Sequence, residues 1–179
     1  EIKHLGRDFD CDTVLIHAAA GGTGQAAVKM AKHYGARVIA TASSSKHAVV
    51  RSLGADHVLD SRSDELAAQV LNLTDGAGAD LVLESSGGAT FRASLACARP
   101  VTGRVIVYGL AGGEANVTNW ELVYSHQVHL IGFNLGALIR AAPLLFREVM
   151  TELFELIGAG VLGPEQRTRY ALVDGAKAL

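Results

Sequence analysis

One junction constrains this chain more than any other. Residues 13–17, Thr-Val-Leu-Ile-His, form an apolar, β-prone run that passes directly into Ala18-Ala19-Ala20-Gly21-Gly22-Thr23-Gly24, and a helical pattern follows over 24–34. Val28, Ala31 and Tyr34 share one face of that helix by spacing. A strand, a glycine turn and a helix in immediate succession are the opening unit of a dinucleotide-binding fold. The Gly-x-Gly-x-x-Gly register falls on Ala19, Gly21 and Gly24, so alanine replaces the first glycine and the two later ones stand. Gly21 lets the backbone approach a pyrophosphate, and Gly24 lets the helix close on the sheet. Gly22 and Thr23 sit at the helix start, where unpaired N–H groups and a partial positive charge suit phosphate. The competing reading is a tight βα turn with no ligand. Gln25 follows Gly24 where a nucleotidase loop needs lysine and then serine or threonine, which disfavours ATP.

The rest of the chain repeats the unit. Runs at 37–41, 57–59, 81–84, 104–108 and 128–133 read as strands, with helical patterns over 46–53, 64–73 and 88–98 between them. A longer helix over 141–157 follows the sixth strand, then a glycine-rich exit at 158–163 and a tail strand near 168–173. Gly35, Gly54, Gly76, Gly78 and Gly103 fall where the helices should stop, as left-handed termination or turn chemistry requires. Strands apolar on both faces and separated by helices run parallel, because a right-handed crossover covers both faces of the sheet. The fold class is therefore α/β: a doubly wound, six-stranded parallel Rossmann sheet with helices on both faces. At 179 residues, 49% of them hydrophobic, the chain suits one domain around one core.

The second strand argues which dinucleotide. A site for NAD places an acid about twenty residues past the first turn to hold the ribose hydroxyls, yet no Asp or Glu occurs from Gln25 to Ala55. The strand ends instead in Thr41-Ala42-Ser43-Ser44-Ser45-Lys46, which places Ser43 and Lys46 to receive a 2′-phosphate. Charge-assisted bonds of that kind are worth about 1.5–3 kcal/mol each, enough to favour NADPH over NADH by one or two orders of magnitude. Capping of the next helix by the serines is the plainer role and is compatible with the other. The missing acid also counts against an S-adenosylmethionine site.

Other classes fall away. Sixteen basic and eighteen acidic residues, net −2, are mixed along the chain, so no stripe of charge grips nucleic acid or an anionic membrane. The apolar runs are too short to span a bilayer and the first residues are no signal peptide, so a cytoplasmic setting is expected. Cys11 and Cys97 read as reduced, buried thiols. No Tyr-x-x-x-Lys and no Gly-x-Ser-x-Gly is present. His126 and His129 stand three apart without a carboxylate or thiol at ligand spacing, so no metal site is expected. His17 reads as packing beneath the turn, and Glu84, ending the fourth strand, is left without a role.

Taken together, the blocks His17 to Gly24, Gly54 to Arg62, Thr74 to Asp80, Ser86-Gly87-Gly88 and Ile131 to Leu135 resemble the zinc-free medium-chain dehydrogenase/reductases. That group includes zeta-crystallin-like NADPH:quinone oxidoreductases and the enoyl reductase domains of polyketide synthases. The resemblance implies that Gly21 to Gly24 face the pyrophosphate, that Ser43 and Lys46 meet the 2′-phosphate, and that Ser61 is among the cofactor contacts. It puts Ser86 and Gly87 at the inner ribose, and Gly109, Phe133 and Leu135 at the nicotinamide end. Many relatives carry tyrosine where Ser61 stands. It further implies that residues 1–179 are the dinucleotide-binding domain, with the family's GroES-like catalytic domain outside this chain. Relatives pair through the last strand of the sheet, and the apolar edge at 128–133 would be hazardous if bare, so a homodimer is expected. The expected activity is hydride transfer from NADPH to a small-molecule quinone or enoyl thioester, and the rival is a cofactor-binding module without turnover.

Overall fold

A computed structural model describes residues 13–163 and 171–177. Six strands, β1 (Thr13–Ile16), β2 (Arg37–Ala42), β3 (His57–Asp60), β4 (Leu81–Glu84), β5 (Arg104–Val107) and β6 (His129–Gly132), form one sheet in the order β3-β2-β1-β4-β5-β6. Every pairing is parallel, from Thr13↔Arg37 at the centre to Val107↔Gly132 at the rim. The order reverses between β1 and β4, which opens a crevice at their carboxyl ends, where α/β sheets bind ligands.

The helices are α1 (Gly22–His33), α2 (His47–Ser52), α3 (Leu66–Leu73), α4 (Gly88–Cys97), α5 (Leu135–Ala141) and α6 (Pro143–Gly158). Central strands are buried on both faces, which is why they read as continuous apolar runs. One core joins Val14, Ile16 and Val38 to Val28 and Ala31 of α1. The other joins Leu15, Ile39 and Val82 to Val70 of α3 and Phe91 and Leu95 of α4.

Several elements differ from the sequence expectation. The helix expected over 46–53 begins as a 3₁₀ turn, Ser44–Lys46, before α2. The helix expected from 141 is preceded by α5, which Asn134 caps by accepting the Ala137 amide at 2.8 Å, and α6 then starts on Pro143. A π-helical segment, Glu121–His126, was not expected at all. Its signal was Thr118-x-x-Glu121: the Thr118 hydroxyl takes the Glu121 amide and the Glu121 carboxylate takes the Thr118 amide, a capping box. Gly35, Gly54, Gly76 and Gly78 are left-handed, but Gly103 is not. Gly103 is required by space instead, since a Cβ there would lie 2.6 Å from the Arg99 amide nitrogen. The tail strand near 168–173 falls partly outside the described residues, and Leu172–Lys177 is 3₁₀-helical, with the turn-forming pair Asp174-Gly175 inside it.

Candidate functional site

The first turn is built around backbone geometry. Ala18 takes φ +50°, which swings the chain so that the Gly21 amide donates to the Ala18 carbonyl at 2.9 Å. Gly21 then caps α1 in extended conformation with no side-chain cap bond. Among the described residues, the amides of Gly22, Thr23 and Gly24 find no acceptor. They are open donors at the positive end of a twelve-residue helix. Gly24 is buried, and a Cβ on it would come within 2.6 Å of the Ala19 Cα, so close helix–sheet packing needs glycine there. Ala19 is itself fully buried, its amide bonded to the Thr41 carbonyl at 2.9 Å, and its methyl joins the core beneath the turn.

Beside this turn lies a cavity of about 400 Å³ lined by Ala18, Ala20, Gly21, Thr41, Ala42, Ser43, Lys46, Ser61, Ser86 and Thr90. No carboxylate is in its wall. Ser43 precedes the 3₁₀ turn without a side-chain cap bond, so its hydroxyl is not spent on the helix. Its nearest hydroxyl partner is Ser45, at 3.5 Å. Lys46 is exposed at the end of that turn and pairs with no carboxylate among the described residues. The Ser61 amide donates to the Ala42 carbonyl at 3.0 Å, which draws the exit of β3 beside the exit of β2. The structure thus gathers Gly21, Ser43, Lys46, Ser61 and Ser86 into one space. Thr90, which sequence reasoning passed over, joins them from the first turn of α4.

The exits of β4 and β5 interlock. Gly87 has φ +75°, and a Cβ on it would fall on the Gly113 carbonyl oxygen and 3.1 Å from the Leu110 Cα. Gly109 is pressed against Ser85 in the same way, with a Cβ only 3.2 Å from the Ser85 Cα. The Gly88 amide donates to the Gly113 carbonyl at 3.0 Å, and the Gly112 amide to the Ser86 carbonyl. These glycines serve loop-to-loop contact, a demand the sequence alone did not reveal. Phe133 lines a separate apolar groove of about 350 Å³, with Thr23 and Met30 of α1, Leu83, Ile106 and Tyr108 at the sheet's carboxyl edge, and Leu153 of α6. Leu135 opens α5 and is 53% exposed. Burial raises the Tyr108 phenol above its usual pKa, with Ser85 opposing and the Glu84 charge adding to the rise.

His17 is buried between elements. Its Nδ1 lies 3.1 Å from the Thr41 hydroxyl and its Nε2 3.0 Å from the Ser94 hydroxyl of α4. Burial lowers its pKa to about 4, so the ring is neutral and binds β1, β2 and α4 together. It packs under the turn, as its place in the sequence suggests.

The zinc-binding dehydrogenase family matches residues 22–157, more than half of the chain and the whole run from α1 into α6. The chain belongs to that family. A mycocerosic acid synthase-like polyketide synthase of Mycobacterium tuberculosis is 37% identical over 99% of this chain, which spans 8% of that synthase's length. A quinone oxidoreductase of Pseudomonas syringae pv. Tomato has a solved structure that superposes with TM-score 0.87 at 33% identity. That superposition covers 99% of this chain and 55% of the other. A mycobacterial family member solved in complex with NADPH superposes with TM-score 0.83 at 34% identity, over 93% of this chain and 52% of that one. The family's description names zinc, but among the described residues no three His, Cys, Asp or Glu side chains gather to hold a metal. His129 points its Nε2 at the Val101 carbonyl at 3.0 Å instead. No helix of the described residues is long and apolar enough to cross a membrane.

Proposed function

We propose that this chain is the NADPH-binding domain of an oxidoreductase that passes hydride to a quinone or another α,β-unsaturated carbonyl. The observation that carries the reading is the union, in one acid-free cavity, of Gly21, Ser43 and Lys46 beside the open amides of α1. Those amides suit a diphosphate, and a hydroxyl and an ammonium suit a further phosphoryl group. A 2′-phosphate is the phosphoryl group that a dinucleotide presents at the end of β2. The relative solved with NADPH supports the same choice.

When bound, NADPH supplies the hydride; the protein supplies orientation and exclusion of water. The open amides of α1 would hold the diphosphate, and Ser43, Lys46 and Ser61 would fix the adenosine end. Ser86, Gly87 and Gly109 shape the wall toward the inner ribose and nicotinamide. Phe133 and Leu135, outside that cavity, would meet the nicotinamide end with apolar surface. In the enzyme proposed here the substrate cleft would lie between this domain and a second, barrel-like one, which would carry the remaining catalytic groups. The isolated domain should bind cofactor and turn over poorly.

A second reading, an enoyl reductase domain acting on enoyl thioesters within a polyketide synthase, is favoured by the synthase relative at 37% identity. Steady-state NADPH oxidation by the intact protein, with a quinone and with a crotonyl thioester, separates the two. Binding without oxidation of either would leave a non-catalytic cofactor module. We also place the protein in the cytoplasm as a homodimer joined through β6, the edge strand of the sheet, whose Leu130 and Ile131 are half-buried against its two cores. Sedimentation of a monomer at micromolar concentration would contradict that pairing.

A further inference from the structure

The exit of β4 contains a buried acid that the reading above leaves idle. Glu84 is fully buried. Its Oε1 accepts the amides of Ser86 at 2.8 Å and Gly87 at 2.9 Å, and its Oε2 takes the Gly87 amide at 3.1 Å. A buried carboxylate is costly unless its lone pairs are met, and here two successive amides meet them. Those bonds turn the chain back over the Glu84 side chain, fix Gly87 at φ +75°, and put Ser86 in the wall of the cavity shared with Gly21 and Ser43.

The same bonds occupy the start of a helix. Gly87 is the cap residue of α4, and the next amide, that of Gly88, goes to the Gly113 carbonyl. The Gly87 and Gly88 amides at α4 are therefore satisfied inside the protein, whereas at α1 the Gly21 amide is satisfied and that of Gly22 stands open.

We propose that Glu84 is a positioning residue for the cofactor: through the Ser86 and Gly87 amides it sets the cavity wall that meets the inner ribose. This deepens the NADPH reading and rests on it. Apolar packing alone would place a leucine or methionine at the end of β4; the carboxylate is needed to hold a loop whose shape the ligand reads.

The test uses Glu84→Met, which keeps volume and removes both acceptors, and Glu84→Gln, whose single carbonyl oxygen can accept both amides as Oε1 does now. In the intact protein, affinity is measured for NADPH and for adenosine 2′,5′-bisphosphate, which carries the adenosine end and lacks the inner ribose. E84M should weaken NADPH about tenfold and leave the bisphosphate within about twofold, while E84Q should stay within about threefold of the parent for both. Equal loss of both ligands in E84M would make Glu84 merely structural, and unchanged NADPH affinity in folded E84M would remove its role altogether. Should E84M fail to fold, E84Q still decides, since a tenfold loss of NADPH there would overturn the acceptor geometry. Failure of the unaltered protein to bind either ligand would instead bring down the NADPH reading itself.

Discussion

The first and fourth βα turns of this sheet look alike in sequence and differ in what they leave open. Ala18-Ala19-Ala20-Gly21-Gly22-Thr23-Gly24 and Glu84-Ser85-Ser86-Gly87-Gly88 each carry a buried strand through a glycine pair into a helix. At the first turn the Gly21 amide reaches the Ala18 carbonyl, and the amides of Gly22, Thr23 and Gly24 find no acceptor among the described residues. At the fourth, Glu84 takes the Ser86 and Gly87 amides and the Gly113 carbonyl takes that of Gly88, while the Ala89 and Thr90 amides find no acceptor among the described residues. The two turns thus differ at the first helical amide, open to a ligand at Gly22 and taken by the protein at Gly88. The acid at the start of the second motif holds the loop before its helix, as the Ala18 carbonyl does in the first.

Substitutions at the two turns should separate their roles. The largest effect is expected from Gly24→Ala, whose methyl would fall on the Ala18 carbonyl oxygen and lie 2.6 Å and 2.9 Å from the Cα and carbonyl carbon of Ala19. Neither neighbour can yield without moving β1, so urea denaturation should report a loss of about 3 kcal/mol, with NADPH affinity falling alongside. Wild-type stability in this variant would break the claim that the helix closes on the strand through Gly24. Gly87→Ala should cost somewhat less, about 2–3 kcal/mol, because φ +75° with ψ −164° is a glycine conformation and the methyl would press on the Gly113 carbonyl. Here cofactor affinity should fall through the inner-ribose wall, with the adenosine bisphosphate still bound.

His17 ties the two turns together through Thr41 and Ser94, and it gives a pH test. Burial depresses its folded pKa to about 4 from 6.5, so the unfolded chain takes up the proton first as pH falls. Its contribution is complete above 6.5 and is lost progressively toward about 4. About 2 kcal/mol should disappear between pH 6.5 and about pH 5, in thermal or urea melts. His17→Asn, which cannot titrate, should flatten that slope; an unchanged slope would show that other groups produce it.

Much of this was legible in the sequence because backbone demands leave marks on composition. The six-strand alternation followed from β-branched runs buried on both faces, and the first turn from the place of Gly21 and Gly24 between strand and helix. The absence of an acid after β2 pointed to Ser43 and Lys46, and the fold brings both to the cavity that contains Gly21. The rest needed three dimensions. Gly87, Gly109 and Gly113 serve a contact between loops more than twenty residues apart, which no local pattern records. Thr90 faces the cavity from a helix whose start was visible but whose rotation was not. The role of Glu84 depends on which amides its side chain reaches, and the π-helical segment was announced by Thr118 and Glu121 in a capping pattern that was there to be read.

The central claim is that the open amides of α1 seat a diphosphate while Ser43 and Lys46 prefer the extra phosphoryl group. Calorimetric titration of NADPH and NADH into the intact protein and its Lys46→Ala variant tests it most directly. The account expects NADPH to bind at least about tenfold tighter than NADH, and Lys46→Ala to remove most of that margin without weakening NADH. Equal or tighter binding of NADH by the unaltered protein, or no binding of either by folded material at millimolar concentration, would contradict it.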